Sequence, residues 1–98
     1  SDLRFVAAVA ADGFEELELI APADMLRRAG AEVALVGIGK MQVTSSHGFV
    51  FTADIAEDQI DMAKAVMLVL PGGSVGTKNL IASKTVKIAI ETAPVPPA

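Results

Sequence analysis

Two stretches of the chain are apolar without the polar alternation of a half-exposed strand: Phe5-Val6-Ala7-Ala8-Val9-Ala10 and Ala65-Val66-Met67-Leu68-Val69-Leu70. Such runs predict strands covered on both faces, as in a parallel sheet between helical layers. Glu32-Val33-Ala34-Leu35-Val36-Gly37-Ile38 supplies a third strand. Between the first and third, Asp12 with Glu15 three residues on predicts a capped helix start, and Glu15, Glu16 and Glu18 suit the positive end of the helix dipole. The helix is expected to run to about Ala29, with Arg27 and Arg28 in its last turn and Gly30 as a left-handed cap. Pro22 lies inside it and predicts a bend or a restart. Strand, helix and strand in this order form a right-handed parallel crossover.

Gln42-Val43-Thr44-Ser45 and Phe49-Val50-Phe51-Thr52 flank Ser46-His47-Gly48, which predicts a short rim hairpin. Residues 54–63 are polar with scattered Ile55, Ile60 and Met62, the pattern of a short, weak helix. The strand at 65–70 stops at Pro71-Gly72-Gly73, and beyond it Leu80, Ile81, Val86, Ile88 and Ile90 predict a further helix. Pro94, Pro96 and Pro97 make an extended tail. The organisation expected is one α/β domain over 1–92 and a proline-rich tail over 93–98. Its parallel sheet is incomplete. The strand at 65–70 belongs at the centre of a full sheet, and if nothing follows residue 98 its outer edge is unpaired.

Composition narrows the function classes. The 12 acidic and 8 basic residues give a net charge of −4, and only Arg27-Arg28 are adjacent among the basic ones, so no clustered basic face offers itself to nucleic acid. No apolar window is long enough to span a membrane, and the N-terminus enters a strand directly rather than through a signal peptide. Cysteine is absent, which excludes disulfides and thiol nucleophiles within this chain, and a cytoplasmic location is the expectation.

Candidate chemistry gathers where the strand at 65–70 ends, since open α/β sheets bind ligands outside the carboxyl ends of their strands. Gly72 and Gly73 are two consecutive amides beside a helix start, a nest for an anion or oxyanion; a tight turn alone explains the pair equally well. Glu15, Glu16 and Glu18 read first as a solvated helix turn matched to the dipole. Glu18 differs in its apolar company, Leu17 and Leu19-Ile20, and a carboxyl buried at the strand ends with a raised pKa would suit it to hold a proton for a neighbour. His47 is the single histidine, expected to be exposed at the hairpin turn, and with no cysteine beside it a metal site is not expected. Ser45 and Ser46 lack the context of a serine nucleophile. Arg27 and Arg28 are accounted for by helix-end electrostatics, or by reaching a carboxylate across a dimer.

The segments Ala11-Asp12-Gly13-Phe14-Glu15-Glu16-Leu17-Glu18, Asp24 to Val33, Val43-Thr44-Ser45-Ser46-His47-Gly48 and Leu68-Val69-Leu70-Pro71-Gly72-Gly73, with Gly76 and Asn79-Leu80, resemble the ThiJ/PfpI family in order and spacing. The resemblance implies a flavodoxin-like sandwich of the class I glutamine amidotransferase type, usually a homodimer, acting without cofactor on reactive carbonyls as a glyoxalase or protein deglycase. Other members are peptidases or chaperones. It implies that Glu18 shares a proton with a cysteine nucleophile and that Gly73 gives an oxyanion-hole amide. Gly72, Arg28 and His47 would line the pocket or the dimer contact. The family's cysteine elbow, on a strand after the 80–91 helix, has no counterpart here; aligning Ala89 to Pro94 with it would put Glu91 in place of the cysteine.

The expectation is therefore a portion of a carbonyl-acting enzyme, partnered by a second copy or by a companion segment that brings the cysteine, with a small aldehyde as substrate and no nucleic-acid or membrane partner. The other readings are a non-catalytic, chaperone-like or stress-response module that binds through an exposed apolar strand edge, and an inactive fragment.

Overall fold

The computed structural model describes residues 5–73. The helix expected over 80–91, the tail and the possible Glu91 alignment lie outside the described residues. Strand β1 (Phe5–Ala10) leads into helix α1 (Glu16–Arg28), then β2 (Val33–Gly37), a hairpin of β3 (Gln42–Thr44) and β4 (Val50–Thr52), the short β5 (Ile55–Ala56), two single 3₁₀ turns and β6 (Ala65–Val69). Four parallel strands lie in the order β5-β2-β1-β6, and the hairpin forms a separate two-stranded sheet. This is an α/β fold with a parallel sheet, as the apolar runs require.

β1 is the centre. Val6 to Ala10 pair with Val33 to Gly37 on one side, and Val6 to Ala8 pair with Met67 to Val69 on the other. Successive side chains leave a strand on opposite faces, so β1 feeds two cores. Ala7 and Val9 pack with Ala11, Val36, Met62 and Ala65 on one face; Ala8 and Ala10 pack with Phe14, Leu19, Ala23 and Val43 on the other. The small alanines let α1 and the hairpin close onto the second face, where the Phe14 and Phe51 rings meet at 5.5 Å and 60°.

Pro22 does not restart the helix: α1 runs on through it without a second start, one backbone donor short. Gly30 takes φ +95°, and the N–H groups of Ala29, Gly30 and Ala31 return to Met25, Arg27 and Leu26 carbonyls, the left-handed stop expected. Arg27 Nη2 donates to Asp54 Oδ2 and to the Val33 carbonyl, both at 2.8 Å, and the same Asp54 oxygen accepts from Leu35 N. One carboxylate thus ties the end of α1 to the β2 edge.

Three expectations need correcting. Asp12 does not cap α1: Glu15 occupies the cap position, while Asp12 Oδ1 accepts from Thr44 N and Oδ2 pairs with Lys40 at 2.6 Å, so the residue locks the hairpin onto the end of β1. Residues 54–63 hold no α-helix, since Ile55-Ala56 pair with Val36-Gly37 as a fourth parallel strand before the first 3₁₀ turn. The strand at 65–69 is not covered on both faces: Val66 and Met67, which leave it on opposite faces, are 46% and 48% exposed, and β6 is an edge of the described sheet.

Candidate functional site

Parallel strands bring their carboxyl ends to one side, and the segments leaving β1 and β6 meet there. The Gly72 N–H donates to Glu18 Oε1 at 3.0 Å, and the Gly72 carbonyl accepts from Glu15 N at 3.0 Å. The glycine turn is therefore fastened to the first turn of α1 through both of its polar groups. Space forces the residue type as well. A Cβ on Gly72 would stand 2.7 Å from Glu18 Oε1. Gly73 has φ +100°, and its Cβ would stand 2.7 Å from the Gly13 carbonyl oxygen, itself on a positive-φ glycine.

The structure thus sets Glu18 against Gly72, with Gly73 next in the chain. Glu18 is exposed, however, not buried among Leu17, Leu19 and Ile20. The helical period explains this: Leu19 and Ala23 take the inward face of α1, and Glu18 falls one residue off it.

A second network joins α1 to the hairpin. Ser46 Oγ donates to Glu15 Oε1 at 3.0 Å, Ser46 N donates to the Phe14 carbonyl, and His47 Nδ1 lies 2.8 Å from Glu16 Oε1. A carboxylate only accepts, so His47 Nδ1 carries its proton toward Glu16. Ser46 Oγ approaches that same nitrogen, at 3.1 Å. Serine and carboxylate thus share one ring nitrogen, so the three are not a nucleophile relay, which needs both. The Glu16 carboxyl is held below its ordinary value chiefly by its own helix-end amide, then by the Ser45 hydroxyl and His47, against the opposing cost of burial. The Asp12 carboxyl is lowered by Lys40 first and by the Thr44 amide next.

His47 is exposed at the turn, as expected, but reaches Glu16 rather than the glycine turn. Arg28 sits in the last turn of α1, where it pairs with Asp24 at 3.0 Å, three helical turns from Glu18. One ligand atom from each of Glu15, Glu16 and His47 falls within 4.8 Å of the others, and these three could hold a cation; the Nδ1 proton shared with Glu16 fills the same space. Beside them, Glu16, Leu17, Ile20, Phe49 and Phe51 line an open apolar groove of about 410 Å³. Sequence reasoning weighed Ser46 only as a nucleophile and gave Gly13 and Asp54 no role. The Asp12-Gly13 turn was the signal available for Gly13, whereas Asp54 and Ser46 act on partners 19 to 31 residues away, which no local pattern reports.

A family model described as "DJ-1/PfpI family" matches residues 4–93. The chain belongs to the DJ-1/PfpI family. A deglycase of Thermococcus kodakarensis is 40% identical over 68 residues, covering 69% of this chain and 41% of that protein. The deglycase PfpI of Pyrococcus furiosus is 33% identical over 81 residues, covering 83% of this chain and 49% of its own length. The crystal structure of Drosophila melanogaster DJ-1beta superposes with a TM-score of 0.85 at 31% identity, over 91% of this chain and 48% of that one. The chain spans about half the length, or less, of the curated relatives it matches. Among the described residues no helix is long and apolar enough to cross a membrane.

Proposed function

We propose that this chain is the amino-terminal portion of a cofactor-free protein that acts on reactive carbonyls, as a glyoxalase or protein deglycase, through a cysteine supplied by polypeptide outside these 98 residues. The observation that carries the reading is the Glu18–Gly72 hydrogen bond. It sets an acidic group against the glycine turn at the carboxyl end of β6, where a thiolate attacking an aldehyde needs both a proton partner and an amide for the developing oxyanion. Glu18 fills the first role and the Gly73 N–H the second. The names of the deglycase relatives support the substrate class.

The same reading includes a homodimer in the cytoplasm. Leu17, 78% exposed, and Phe49 line the open apolar groove with Ile20 and Phe51, Met25 and Val50 are exposed as well, and α1 is acidic at one end and basic at the other. Two copies of α1 set antiparallel about a two-fold axis would match those ends. A second reading, a non-catalytic binding module, draws on the exposed apolar residues of the β6 edge, Val66 and Met67.

Native and denaturing mass spectrometry of the purified protein tests the first reading. A co-purifying cysteine-bearing polypeptide, and turnover of methylglyoxal by that complex that falls by ~100-fold or more in Glu18→Gln, supports it. This chain by itself is expected to show no turnover. Activity of the purified chain alone that is lost in Glu18→Gln would sink the view that the nucleophile lies elsewhere.

A further inference from the structure

Two free consecutive amides at Gly72-Gly73 would cradle an anion with several oxygens. The first of them is taken. The Gly72 N–H donates to Glu18 Oε1 at 3.0 Å, and Glu15 N holds the carbonyl of the same glycine. The packing agrees, for a Cβ at Gly72 would fall 2.7 Å from Glu18 Oε1 and 3.5 Å from Oε2. Among the described residues nothing accepts from the Gly73 N–H. Gly73 itself is set by backbone, with φ +100° and its Cβ position against the Gly13 carbonyl.

We propose that Glu18 is a positioning residue for the glycine turn, using Oε1 to consume the Gly72 donor so that the Gly73 N–H alone remains for a ligand. The site then takes a single oxygen that gains negative charge, as from an aldehyde carbonyl, and rejects phosphate-like anions that need several donors. Only this choice of ligand class rests on the carbonyl reading above. The division of labour within the carboxyl follows: Oε1 fixes the turn, and Oε2 is left for a proton shared with a neighbouring group. Glu18→Gln retains an acceptor oxygen and keeps the turn, whereas Glu18→Ala releases it.

Amide exchange and chemical shifts of the ¹⁵N-labelled 98-residue chain test this. In Glu18→Ala the Gly72 N–H is expected to exchange about tenfold faster or more than in the wild type, and in Glu18→Gln to stay within about twofold. The amides of Val9 and Val36, in the core strands, report whether the fold is retained. The Gly72 amide shift should move clearly in Glu18→Ala and stay close to the wild-type value in Glu18→Gln, which keeps an acceptor oxygen, a signature that loss of packing alone would not produce. Gly72→Ala should lose the same protection with Glu18 intact, because its Cβ displaces the carboxylate. Inorganic phosphate at millimolar concentration should move neither glycine. A Gly72 amide as unprotected in the wild type as in Glu18→Ala, or a saturable phosphate shift at both glycines, overturns the proposal. None of these readouts needs turnover, so a failure of the carbonyl reading and a failure of this one are told apart.

Discussion

β1 and β6 read almost alike in sequence, two short apolar runs each closed by a turn, yet they meet opposite fates. Val6 to Ala10 are buried without exception, whereas Val66 and Met67 of β6 stand half exposed. The difference is position in the sheet. β1 has a parallel neighbour on both sides and a core on both faces, while β6 has one neighbour among the described residues. An apolar run states how a strand tolerates burial; its neighbours decide how much burial it receives.

Charge insertion separates the two strands most sharply. Val9→Asp puts an unpaired carboxylate in the centre of the sheet and should cost more than ~4 kcal/mol, enough to unfold a marginal domain. Met67→Asp, on a half-exposed side chain, should cost within ~1 kcal/mol. Urea midpoints measure both, and equal losses would show that β6 is as enclosed as β1 in solution.

The strand ends come next. Gly73→Ala combines a left-handed backbone with a Cβ against the Gly13 carbonyl, and should cost ~1–3 kcal/mol. Gly30→Ala shares the strain, but nothing lies near its Cβ, so its loss should stay near ~1 kcal/mol. A loss at position 73 no greater than at 30 would mean that the close approach of the two loops is not maintained.

Acid probes the hairpin lock on β1. The Asp12 and Glu16 carboxyls are depressed below their ordinary 3.8 and 4.5 when folded, so their stabilisation is present above those values and is lost as pH falls through the lower folded ones. The urea midpoint should therefore drop as pH falls below about 4.5, and drop less in Asp12→Asn. Identical acid profiles for the variant and the wild type would count against the lock. The smallest effect belongs to Val66→Thr on β6, expected within ~0.5 kcal/mol.

Much of this was legible beforehand. β1 emerges with the bounds its apolar run dictates, α1 ends where Gly30 stops it, and Ser46-His47-Gly48 turns the hairpin. What escaped had long-range causes. A two-residue strand such as Ile55-Ala56 has no periodicity of its own and exists because β2 offers an edge. Asp12 looked like a cap because Glu15 follows at the right spacing, but Thr44 and Lys40, about thirty residues on, compete for its oxygens and win.

The sequence by itself determined the fold class, the family and the meeting of an acidic helix start with a glycine-ended strand, because periodicity, turn chemistry and motif spacing are written locally. Only the tertiary structure decided which amide Glu18 engages and that His47 answers Glu16. Those outcomes depend on how segments 31 to 54 residues apart are brought within about 3 Å of one another, and no local pattern carries that distance.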